Sequence, residues 1–196
     1  MKANPLDQLK RICGQLLSRI ANLNNSFKSF FTETMICYLS ITGRVNFSQM
    51  ARFSTSCESR FRQNFKKRFD WVAFNTGLAS GTDGHLRAIA LDPCYIPKSG
   101  KKTPGLGYFW SGTANAAKRG LEILDFAFNA SLTAVNLAKN VAKESGIDLS
   151  VEDVKLLIHN AVMIQRIFSM FGNTPNMNLN QSIFKELLFY GVKSAA

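Results

Sequence analysis

The sequence predicts a mainly α fold with a small β element near its middle. Three observations carry this. Apolar residues recur at steps of three and four over most of residues 1–75 and again over 125–196. Between them one β-rich apolar run, Leu86-Arg87-Ala88-Ile89-Ala90-Leu91, stops at Asp92-Pro93. Glycines, lysines and aromatics then alternate up to Gly112, a composition for loops and hairpins. The expected organisation is a helical region at 1–75, a β-containing segment at 76–124 and a C-terminal helical region at 125–196.

Each element has its own signal. Leu6, Leu9, Ile12, Leu16, Ile20 and Leu23 mark one face of a helix over about 6–23. Phe27, Phe30, Phe31, Met35 and Leu39 mark a second over 27–41, which Gly43 breaks. Phe47, Met50, Ala51 and Phe53 fit a short third helix. Ser54-Thr55-Ser56 is a turn with N-cap chemistry, and a basic helix is expected over 57–69. Its Phe61, Phe65 and Phe69 fall at four-residue intervals and face inward. Arg60, Arg62, Lys66, Lys67 and Arg68 then cover the remaining surface. Short helix, tight turn and basic helix make a helix-turn-helix-like unit; a solvated basic face is the plainer reading of the same residues.

In the centre, 85–91 reads as a strand buried on both faces, with Tyr95-Ile96 extending it or opening a hairpin. Lys98, Lys101 and Lys102 stand in a glycine-containing loop that could follow a phosphate backbone but lacks the P-loop order. Gly107 to Gly112 is an aromatic patch, either a DNA contact or a small hairpin on the core. A short strand is expected at 120–124. Helices follow over 125–144, over 150–171 with a Ser150/Asp153 cap, and around Ile183 to Leu188.

The chain has 196 residues, 46% of them hydrophobic, and a formal charge of +11. Residues 1–70 hold 12 Lys/Arg against 4 Asp/Glu, so net +8, and residues 123–196 hold 6 against 6. The positive field therefore belongs to the N-terminal part, as expected of a face that meets a polyanion. Cys13, Cys37, Cys57 and Cys94 stand far apart, without zinc spacing, and read as buried free thiols. No run of about 18 uncharged apolar residues suggests a membrane span, and no signal-peptide core opens the chain. The expectation is a soluble cytoplasmic protein. His85 has no paired acid, base or ligand at suggestive spacing, and His159 lies within an apolar helical pattern as a structural residue.

The stretch ALDPCYIPKSGKKTPGLGYFWSGTANAAKRGLE carries a resemblance. It is similar to the first catalytic aspartate and following strand-loop of the DDE transposases of bacterial insertion sequences, enzymes with an RNase H-like catalytic domain. The upstream helices resemble that family's N-terminal DNA-binding region. LDFAFNASLTAVNLAK resembles its segment beyond the catalytic core. The resemblance implies that Asp92 is the first catalytic acid and a metal ligand, that Mg²⁺ is the cofactor, and that double-stranded DNA at element-end inverted repeats is the partner. It also implies nucleoid association.

The departures matter as much. Full-length relatives are considerably longer. Between Glu122-Ile123 and Leu124-Asp125 they carry the middle of the catalytic domain, with its second aspartate and its glutamate. The tyrosine-arginine-glutamate-lysine signature is absent: three residues beyond Tyr38, Tyr95, Tyr108 and Tyr190 stand Ile41, Lys98, Ser111 and Lys193. These observations imply an internal deletion that leaves a truncated RNase H-like β segment. Strand transfer uses two divalent ions, and one carboxylate cannot hold two in register. Glu122 and Asp125 are the nearest carboxylates after the loop, and their plain readings are strand-edge and helix-start charges. The expected function is DNA binding without strand-transfer catalysis. The alternative is an active metal-dependent transposase that cuts and joins DNA at element ends. Apolar stripes left without a catalytic domain also suggest a homo-oligomer.

Overall fold

The computed structural model describes residues 4–79, 95–97, 106–111, 115–122, 126–170 and 182–193. The fold is mainly helical, with one small sheet. Asn4 caps α1 (Pro5–Arg19): its side chain accepts from the Asp7 amide at 2.9 Å, and Pro5 stands in the first turn, where no amide is needed. The helix ends before the expected 23, and Asn22 takes a left-handed φ of 61° in the link to α2. Asn24 caps α2 (Asn25–Ser40) in the same way, through the Phe27 amide at 2.8 Å. Phe27, Phe30, Phe31, Met35 and Leu39, the residues expected to face inward, are all buried.

Asn46 caps α3 (Phe47–Phe53), and a turn leads to α4 (Glu58–Asn64). Here two expectations fail. The basic helix expected over 57–69 has only seven residues and stops at Asn64. The Asn64 side chain bonds back to the Arg60 carbonyl at 2.8 Å, an alternative use of backbone groups that favours a helix end. Beyond it Phe65 and Phe69 join an aromatic cluster, Phe65 against Phe126 and Phe69 against Phe31 and Trp71. Nor do the turn hydroxyls cap α4; its cap is Cys57, without a side-chain bond. A further helix, α5 (Trp71–Ala79), follows at once, with the Asp70 carboxylate accepting from the Ala73 amide at 2.9 Å.

The central element is a three-stranded antiparallel sheet of β1 (Tyr95–Pro97), β2 (Leu106–Ser111) and β3 (Ala116–Glu122) in the order β1-β3-β2. Phe109 pairs with Lys118 and Tyr95 with Glu122. The aromatic patch is thus one arm of a hairpin, and its partner strand begins earlier than the expected 120. The strand expected at 85–91 lies outside the described residues.

Three helices complete the chain: α6 (Phe126–Ser145), α7 (Val151–Met170) and α8 (Ser182–Phe189). Gly146 closes α6 at φ 74°, a left-handed position that glycine takes freely. Ser150 and Asp153 form the expected capping box: the hydroxyl accepts from the Asp153 amide at 3.1 Å, and the carboxylate accepts from the Ser150 amide at 3.1 Å. Among the described residues no helix is long and apolar enough to cross a membrane.

One hydrophobic core joins the two helical regions. α2 packs on α6 and α7, and α1 on α2, α6 and α7. Phe30 is fully buried, with its ring centroid within 6.0 Å of those of Phe27, Phe61, Phe65 and Phe126. The core therefore runs across the boundaries drawn at 75 and 124. Cys13 and Cys37 are buried free thiols, as expected; Cys57, at the N-cap of α4, is exposed, against expectation, and Cys94 lies outside the described residues. Burial pushes the Cys13 and Cys37 thiols up to about 12, with Glu33 adding to the effect at Cys37. His159 is structural in its contacts: Nδ1 lies 2.6 Å from the Ser40 carbonyl and its ring faces Phe53.

Candidate nucleic-acid interface

Five of the basic residues singled out in the sequence, Arg60, Arg62, Lys66, Lys67 and Arg68, lie on α4 and the stretch 65–70. Two carboxylates hold this surface in shape. Glu33, on α2, has a side chain only 15% exposed. Its Oε1 accepts from the Thr55 amide at 2.9 Å, the Thr55 hydroxyl at 3.1 Å and the Ser56 amide at 3.1 Å. Its Oε2 accepts from the Ser56 hydroxyl at 2.5 Å and lies 3.6 Å from Arg60 Nη1. Arg60 also donates to the Ser56 hydroxyl at 2.6 Å and the Ser26 carbonyl at 3.3 Å. The turn between α3 and α4 is therefore tied to α2 through one anion.

Glu58 ties α3 to α4. It accepts from the Ser48 hydroxyl at 2.7 Å through one oxygen and from Arg62 Nε at 2.8 Å through the other, which Arg62 Nη2 also contacts. The Ser48 and then the Arg62 hydrogen bonds hold this carboxyl below the usual carboxylate range. The Arg62 guanidinium lies 5.0 Å from the centroid of the Phe47 ring, a cation–π contact. Phe47, Arg62, Phe65, Lys66, Phe126 and Ala127 line a cavity of about 360 Å³ beside this latch.

The five cations have different positions. Arg60 is turned toward Glu33 and is mainly a structural tie. Arg62 is ion-paired yet 59% exposed. Lys66, Lys67 and Arg68 are exposed, and they follow α4 rather than standing on it. Lys67 Nζ lies 6.0 Å from the Phe27 ring centroid. Among the described residues none of these last three forms an ion pair. Of the other two acids of the region, Asp7 stands at the start of α1, and Asp70, at the end of the same stretch, accepts from the Ala73 amide at the start of α5. Positive charge is thus in excess on this stretch, three cations against one carboxylate, and attracts anions.

Asp92, Lys98, Lys101 and Lys102 lie outside the described residues. Among the described residues no group of three or more His, Cys, Asp or Glu side chains is placed to hold a metal ion. Glu58, Ser48 and Phe47 were not singled out as part of the site. The Glu58/Arg62 spacing of four was a readable signal for a helical ion pair. Glu33, twenty-two residues from Thr55, gave none.

No family model, no curated protein and no solved structure matches the chain.

Proposed function

We propose that the protein binds double-stranded DNA through α3, α4 and the basic stretch after α4, used as a helix-turn-helix-like unit. In this reading it is an internally deleted relative of the DDE transposases, with a truncated RNase H-like segment at its centre. It occupies element ends in the nucleoid without cutting or joining strands. The observation that carries the DNA part is the run Lys66, Lys67 and Arg68: three successive exposed cations, unpaired among the described residues, beside two helices locked by Glu33 and Glu58. Phosphate contacts fix register without requiring a long helix. At 1.5 Å per residue α4 spans roughly 10 Å, enough for two turns at a groove about 12 Å wide. Mg²⁺ belongs to the transposase lineage through Asp92, and a lone carboxylate supports weak single-ion binding.

The test is retention of a short labelled duplex by the full chain and by a variant with Lys66, Lys67 and Arg68 replaced by alanine. The variant is expected to bind more weakly, with a salt slope flatter by about three, roughly one per lost phosphate contact. Equal retention and an equal slope would remove the interface. Incubation with Mn²⁺ is expected to leave the DNA uncut; cleavage lost in Asp92→Ala would establish the active-enzyme alternative. Self-association is part of the same reading, since Ile167, Met170, Leu187 and Tyr190 expose apolar surface on α7, on α8 and just beyond it. A clean monomer by sedimentation at high concentration counts against that element.

A further inference from the structure

Arg62 differs from the lysines near it because its guanidinium is held in one plane. Nε and Nη2 both contact a single Glu58 oxygen, so one side edge of the fork is occupied. Glu58 is fixed from α3 by the Ser48 hydroxyl, and the Phe47 ring packs against the guanidinium carbon. The arginine nevertheless remains 59% exposed. The outer edge of the fork, formed by Nη1 and the second Nη2 proton, has no hydrogen-bond partner among the described residues.

We infer that Arg62 is a specificity-determining residue that reads a guanine edge in the major groove, and that Glu58 is the positioning residue that aims it. The inference rests on the DNA-binding reading above. Two parallel N–H donors match the O6 and N7 acceptors of guanine. A planar fork also suits a phosphate, but the adjacent carboxylate repels that anion, whereas the neutral guanine edge is not repelled. A base-edge contact needs the plane, and an arginine ordered before binding loses less rotamer freedom on docking. Glu58 therefore has opposite effects on the two kinds of binding. It repels DNA in general and improves the choice among sequences.

The experiment starts from a randomised duplex pool, from which the full chain selects its preferred sequence. Affinities are then compared for that duplex and for duplexes with single G·C pairs changed to A·T. Wild type is expected to discriminate roughly tenfold or more at one G·C pair. Arg62→Lys is expected to lose that discrimination while the salt slope stays the same. Glu58→Ala is expected to lose most of it, read as the ratio of affinities for the selected and the changed duplex, because Glu58 also ties α3 to α4 and general retention falls with that tie. Because the readout is selectivity at one base pair, a general loss of stability does not imitate it. Unchanged selectivity in both variants would overturn the inference and leave DNA binding standing. So would Arg62→Ala weakening every duplex alike, with a slope flatter by about one and the base-pair preference intact. Failure of the wild type to retain any duplex would end both readings.

Discussion

Replacing Glu33 with alanine removes the anion on which the α3–α4 turn is built. Four hydrogen bonds from Thr55 and Ser56 end on its two oxygens, between 2.5 and 3.1 Å, and Arg60 Nη1 lies 3.6 Å away. A hydrogen bond to a charged group contributes about 1.5–3 kcal/mol net. These share one acceptor group and the vacated turn can be reached by water, so their losses do not add. A cost of about 2–4 kcal/mol follows, which at about 2–4 °C per kcal/mol lowers Tm by roughly 5–15 °C. Glu33→Gln should fall between wild type and alanine. It keeps one acceptor oxygen but presents an amide donor to the Ser56 hydroxyl and to Arg60. The assay is thermal unfolding by far-ultraviolet circular dichroism, with duplex retention measured in parallel. Loss of the tie should weaken retention, although a negative charge beside the proposed interface has gone. A Tm within about 1 °C of wild type would show that the turn does not depend on Glu33.

Further outcomes follow from the same packing. Phe30→Ala, at a fully buried ring in contact with four others, should cost about 3–5 kcal/mol in denaturant unfolding, and a loss below about 1 kcal/mol contradicts the central placement of this ring. A thiol reagent on the native protein, mapped by peptide mass, should modify Cys57 well before Cys13 or Cys37; Cys57 is exposed, and hydrogen bonds from Ser59 and then from the backbone lower its pKa. Because Cys13 and Cys37 titrate near 12 in the fold against 9.0 ordinarily, the unfolded chain releases these protons first, so stability should fall as pH rises from about 9 toward 12, and a flat Tm over that range refutes their burial. Gly191→Ala places a Cβ at φ 78° and 3.3 Å from the Leu156 side chain, so about 1–2 kcal/mol of stability should be lost, measurable as a shifted denaturant midpoint.

Local signals in the chain foretold most of the helices. The apolar steps of α1, α2, α6 and α7 and the Ser150/Asp153 box appear where periodicity and capping placed them, because amphipathic faces are written in neighbouring residues. Periodicity misled at α4. Phe61, Phe65 and Phe69 keep helical spacing, yet the chain leaves the helix after Asn64. Contacts with Phe126, Phe31 and Trp71, remote or beyond the helix, decide the paths of Phe65 and Phe69. The Asp70-Trp71 start of α5 was a readable cap signal. The candidate interface was legible as charge but not as geometry. Arg60 and Arg62 look equivalent to Lys66 in a list of cations; only the distant Glu33 and the neighbouring helix show which are tied and which are free to meet a ligand.

The contact face itself is tested most directly by amide hydrogen exchange of the full chain with and without a short duplex. Protection on DNA addition should concentrate in peptides covering 46–70. Slowed exchange confined to α6 to α8, or none anywhere, would contradict the account.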